Sequence, residues 1–267
     1  MLRGVSVALM ATAWTSALIF GLFIIAYYAS PLVGGDLARW NRVLPELYVE
    51  GRPTATLGIG LHFAAGGVSL MLGSIQLLSS VRARLPRLHR WVGRIYIVAC
   101  LVTAIGGLTF IFTSGTIGGP VMNVGFGLYG ALMFACAVQT YRTARARAWE
   151  AHNLWAWRLY ALAIGSWLYR MDYGFWLALT DGVGHTSVFR GWFDAVMSFF
   201  FYLPNLVAVE ILFRTREWRP PSALRVLGAV ALALTTGFLA FATYVFTERF
   251  WGPAILEWVG LTTAGQY

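Results

Sequence analysis

Residues 95–113 read IYIVACLVTAIGGLTFIFT, a run without a single charge. A helix rises about 1.5 Å per residue, so this run covers about 28 Å, close to the thickness of a bilayer's hydrocarbon core. Working outward from it, the chain shows seven apolar segments of spanning length, at 6–30, 55–81, 92–114, 119–141, 153–179, 192–213 and 223–246. The fold expected is an all-α integral membrane protein, a seven-helix transmembrane bundle forming one unit over 1–267. The first segment follows Arg3, but it is longer than the apolar part of a signal peptide, and no small-x-small cleavage site follows it. It is read as a retained anchor.

Composition agrees. The chain is 58% hydrophobic and only 12% charged, where a soluble domain carries about a quarter charged residues. All 20 basic residues are Arg, which excludes a lysine Schiff base and with it a retinal protein. The net charge of +9 does not point to nucleic acid, because the arginines sit in short connections between apolar runs. Cys100 and Cys136 lie inside apolar runs, form no CxxC pair and are expected as packing residues.

The arginines also set a topology. Arg82, Arg84, Arg87 and Arg90 follow the second segment, Arg142, Arg145 and Arg147 the fourth, and Arg214, Arg216 and Arg219 the sixth. The turn between the third and fourth segments carries no charge. Basic loops stay in the cytoplasm, so the amino terminus is expected inside and the carboxyl terminus outside a bacterial inner membrane. The connection 31–54 would face out. So would the tail 247–267, whose Phe250, Trp251 and Trp258 suit an interfacial helix.

A same-direction repeat of helical hairpins, about 55–115 and 119–179, is also expected, with a final hairpin at 192–246. Gln76 is followed by Arg82, Arg84 and His89 at the offsets by which Arg145, Arg147 and His152 follow Gln139. One residue out of step, Arg94 and Tyr96 then match Arg158 and Tyr160.

The run His89-Arg90-Trp91-Val92-Gly93-Arg94-Ile95-Tyr96, preceded by His62 and Gly66-Gly67, resembles an uncharacterised family of bacterial predicted multi-pass membrane proteins, a domain of unknown function. The resemblance covers residues 58–213, with His-Arg-Trp-x-Gly-Arg-x-Tyr as its most specific part. The second half departs from the family's His-Arg, having His152-Asn153. The resemblance implies the membrane fold and no activity.

Polar side chains at membrane depth are costly and need a reason. His62, Ser69 and Gln76 are spaced by seven and share a helix face with Gly66 and Gly73. This is either a packing seam or a polar path, to which Arg170 would add its charge. His89 and His152, equivalent in the repeat, suit either interfacial anchors or the axial ligands of a haem b, with His62 as a further candidate ligand. Arg94 and Arg158 can snorkel to headgroups or bind an anion, with Glu210 as an ion-pair partner for either. Arg170 is expected to pair with Asp194, or else to face an anion. Asp172 is a further intramembrane charge. His185 with Asp181 offers too few ligands for a metal. No phosphate loop, dinucleotide fingerprint, HExxH or Ser-His-Asp order is present, and no catalytic residue is assigned.

The leading expectation is binding, and movement, of a small anionic or amphipathic ligand at His89, Arg90, Arg94, His152 and Arg158, with Gln76 and Gln139 as amide donors. The alternatives are a haem b electron carrier and a structural subunit docked in a larger membrane complex.

Overall fold

The structure, a computed structural model, describes residues 2–42, 44–217 and 221–261, so that Arg219 and residues 262–267 lie outside it. Among the described residues every regular element is helical. α1 is Leu2–Gly34, α2 Pro53–Leu77, α3 Ser79–Arg84, α4 Pro86–Thr113, α5 Gly119–Arg145, α6 Trp149–Ala163, α7 Gly165–Thr180, α8 Trp192–Phe200, α9 Leu203–Arg214, α10 Ser222–Phe246 and α11 Gly252–Trp258. Proline stands in the first turn of α2, α4, α5, α9 and α11, where its missing N–H costs nothing.

Six helical stretches are long and apolar enough to cross a membrane: Gly4–Tyr28, Pro53–Leu77, Pro86–Thr113, Gly119–Arg145, Trp192–Arg214 and Ser222–Trp258. The expected span at 153–179 is not among them. It is split at Ile164 into α6 and α7, and it carries Arg158, Arg170 and Asp172. Gly165, just after the break, packs under the rings of Tyr129 and Phe201.

Glycine pairs bring the long helices together. A Cβ on Gly21 of α1 would lie 3.0 Å from the Gly67 carbonyl of α2, and one on Gly67 would lie 3.0 Å from the Gly21 carbonyl. A Cβ on Gly106 of α4 would lie 2.5 Å from the Gly58 carbonyl of α2. In lipid, where apolar burial does not favour helix pairing, such backbone approach is what draws helices together.

Two apolar clusters result. One surrounds Phe20, Trp40, Trp167 and Trp251, joining α1, α2, α7 and the carboxyl end. The other surrounds Tyr96, Met133, Leu159, Leu162 and Tyr202, joining α4, α5, α6 and α8–α9, and holds both cysteines, free and buried. The tail continues α10 through a π turn at Thr247–Trp251 into α11. Of its three aromatics, Phe250 and Trp258 are exposed, but Trp251 is buried, its ring 5.4 Å from Phe20 and 5.3 Å from Phe246. The carboxylate of Glu257 on α11 accepts from both terminal guanidinium nitrogens of Arg39, at 2.8 and 2.6 Å, so α11 is tied to the 31–54 connection.

Candidate functional site

α2 and α4 run antiparallel and meet along two stripes of small and polar side chains. His62, Gly66, Ser69, Gly73 and Gln76 alternate by three and four residues, the repeat that keeps one face of a helix. On α4, His89, Gly93, Tyr96, Cys100, Thr103 and Gly107 do the same. The contacts run in order. The Gln76 side-chain amide lies 2.9 Å from where a Cβ on Gly93 would sit, and Tyr96 lies 3.2 Å from one on Gly73. Farther along, Thr103 Cγ2 is 3.7 Å from a Cβ placed on Gly66, and His62 Nδ1 is 2.8 Å from one on Gly107. Each end of this seam opens into a cavity.

The larger cavity holds about 940 Å³ and lies at the end of the bundle where the arginine-rich connections meet. Arg82, Arg90 and Arg94 reach it from the α2–α4 corner, Arg145 from the end of α5, and Arg216 from beyond α9. Gln76, His89 and His152 line it as well. Glu150 is the one acid in its wall, 3.8 Å from Arg216. Trp149, Trp157 and Tyr141 give it aromatic surface. Tyr96 and Tyr160 close it toward the membrane interior, both rings packed on Gly73, and the Tyr160 hydroxyl lies 3.3 Å from Ser74 Oγ.

The two histidines are held differently. Turned so that both ends of its amide are satisfied, Gln76 donates from nitrogen to His89 Nδ1 and to the His89 carbonyl, each at 3.2 Å, and accepts at oxygen from the Gly93 N–H at 3.3 Å. Neutral His89 therefore keeps its proton on Nε2. His152 instead donates from Nδ1 to the Thr140 carbonyl at 3.0 Å, which leaves the lone pair on Nε2. One imidazole is a donor at its outer nitrogen and the other an acceptor.

Five of the seven residues expected to form the ligand site thus line one cavity. Arg158 and Gln139 do not. Arg158 donates from Nε to Glu210 Oε1 at 2.6 Å and stacks 4.3 Å over the Trp155 ring. Arg94 stacks 5.1 Å over Trp91, three residues before it, as Arg158 does over Trp155. The Gln139 carbonyl accepts from Thr143, and its side chain is absent from the cavity wall. Arg82, Arg145 and Arg216, read from the sequence only as marks of topology, are part of the wall.

The second cavity, about 180 Å³, lies at the other end of the seam beneath the connections at 44–47 and 115–117. Here His62, Ser69 and Arg170, the residues of the expected polar path, do share a wall. His62 Nδ1 donates to the Thr103 carbonyl at 2.9 Å, and Ser69 Oγ donates to the Gly66 carbonyl at 2.8 Å. The rest is mainly apolar, including Phe63, Phe110, Phe126 and Met133.

One expected pairing does not form. Arg170 makes no ion pair with Asp194, which is fully buried and engaged elsewhere. Asp194 accepts from the Tyr173 hydroxyl at 2.8 Å, from His185 Nδ1 at 2.7 Å, and from the N–H groups of Gly191 and Thr186 at 2.8 and 3.0 Å. His185 is thereby oriented toward Asp194 and not toward a metal shared with Asp181. Among the described residues no group of three His, Cys, Asp or Glu is placed to hold a metal ion.

Comparison with protein families now bears on this geometry. The family described as "Predicted membrane protein (DUF2306)" matches residues 59–213, a stretch that includes His62 and Glu210. The chain belongs to that family. The matched stretch holds the whole α2–α4 seam and nearly all of both cavities' polar residues, and the family's function is unknown. Comparison with curated proteins and with solved structures gives no match.

Proposed function

We propose that this DUF2306 protein binds an anionic amphipathic ligand in the larger cavity, at the cytoplasmic face of a bacterial inner membrane. The observation that carries the reading is the convergence of five arginines, from three separate connections, on one aromatic-walled cavity with a single acid. Guanidinium forks match carboxylate and phosphate oxygens two at a time. Trp149 and Trp157 supply stacking and apolar surface beside that charge. The His89 Nε2–H adds a donor, and the His152 Nε2 lone pair can accept from a protonated oxygen of the same ligand.

The haem reading is weaker on the same geometry. Two axial histidines must both present a lone pair. His152 does so, whereas His89, with the Gln76 amide in the orientation that satisfies both its ends, accepts at Nδ1 and carries its proton on the nitrogen that iron would need. Movement of the ligand would run along the seam, past the Tyr96–Gly73–Tyr160 contact toward Ser69 and His62.

The test is headgroup selectivity. Brominated phosphatidic acid should quench the tryptophan fluorescence of the detergent-solubilised chain at concentrations about tenfold below brominated phosphatidylcholine. Tenfold corresponds to about 1.4 kcal/mol, within reach of one charge-assisted bond. Equal quenching by the two lipids would refute the reading. An absorption spectrum of the same sample should show no Soret band.

A further inference from the structure

We propose that the second cavity is a separate binding site for a small apolar carboxylate, with Arg170 as its counter-charge. The proposal does not depend on the ligand of the basic cavity. Arg170 projects from α7 into a wall that is mainly aromatic and aliphatic, and among the described residues it takes part in no ion pair and no hydrogen bond. The acid best placed by sequence to neutralise it, Asp194, is committed to Tyr173, His185 and two backbone N–H groups. Glu46 lines the same cavity from the outer connection without pairing with Arg170. Arg170 lies over the Tyr169 ring at 6.0 Å, which attracts its charge but leaves its N–H groups without an acceptor, and a charge at membrane depth is costly unless a partner meets it.

A second observation points to the same ligand. Thr103 is 4% exposed, and its Oγ1 has no hydrogen-bond partner. Its carbonyl already accepts from His62 Nδ1, so the hydroxyl is a buried donor left over beside Gly66 in the α2–α4 seam, on a residue that also lines the cavity. Buried polar atoms without partners are rare in folded proteins and mark either strain or an occupant. Arg170 offers a carboxylate a charged fork, Thr103 is the spare hydroxyl on a residue of the same wall, and the remaining wall offers ring contacts. The volume, about 180 Å³, equals roughly six liquid waters at about 30 Å³ each, enough for one ring or a short chain and too little for a lipid.

The probe is 4-fluorobenzoate, followed by fluorine NMR with the full chain in detergent. The expected result is saturable broadening that 4-fluorobenzyl alcohol, the neutral isostere, does not produce. Arg170→Gln should weaken binding at least tenfold and Thr103→Val, which removes only the hydroxyl, several-fold. Arg94→Gln, in the other cavity, should leave it unchanged, so failure here and failure of the lipid reading are told apart. Binding of the alcohol equal to that of the acid overturns the proposal, as does an Arg170→Gln protein that binds as before, or no saturable binding at all. If Arg170→Gln does not fold, the acid-to-alcohol comparison and Thr103→Val still decide.

Discussion

At Gly106 even a methyl group would meet backbone, not a side chain that can turn away. The Gly58 carbonyl would be 2.5 Å from the new Cβ and the His62 N 2.8 Å. At Gly127, on α5, a new Cβ meets nothing within 4 Å. Gly106→Ala should therefore force α2 and α4 apart and cost about 1–3 kcal/mol, the usual range for overpacking. Gly127→Ala should be neutral or stabilise by up to about 1 kcal/mol through reduced unfolded-state entropy. The midpoint of thermal unfolding in detergent should fall for the first and not for the second; equal shifts would contradict the account of the seam. Arg158 and Glu210 form a close but partly exposed pair, side chains 21% and 34% accessible, so Glu210→Gln should cost only about 1 kcal/mol or less. It should leave lipid selectivity intact, whereas Arg94→Gln should lower selectivity without moving the unfolding midpoint.

At the scale of elements, the informative case is the pair α6–α7. The apolar run at 153–179 reads as one span, yet the helix breaks at Ile164, with no proline there to announce it. The break follows from packing, since Gly165 fits beneath the rings of Tyr129 on α5 and Phe201 in the α8–α9 turn, and no local pattern encodes that. The seam on α2 was legible because its three-and-four spacing is local, and so was Glu210 as an ion-pair partner. The Arg170–Asp194 pairing failed because Asp194 is taken by Tyr173 and by His185 from the loop at 181–191, neighbours supplied by the fold. If α6 and α7 together cross the membrane, reporters fused after Arg147 and after Gly182 should lie on opposite sides. Reporters on the same side would leave only the other six spans and place both termini on one side.

For the whole molecule, the arginine-rich connections converge in space. Arg82, Arg145 and Arg216 come from three different corners, and only the assembled bundle brings them to one cavity with His89 and His152. Sequence reasoning could not separate these roles, because a positive loop residue looks the same whether it faces headgroups or a ligand. It also placed Arg158 and Gln139 in the site by repeat symmetry. The structure holds the two histidines by unlike partners, the Gln76 side chain and the Thr140 carbonyl, so the halves of the proposed repeat are not equivalent at this point. The claim that rests on the assembled cavity is anion selectivity. The direct measurement is the ratio of phosphatidic acid to phosphatidylcholine affinity in the unaltered chain and in the triple variant Arg82→Gln, Arg145→Gln, Arg216→Gln. The account predicts a ratio of about ten or more falling to near one, a loss of about 1.4 kcal/mol spread over the three charges. A triple variant that remains folded and keeps the full ratio would contradict it.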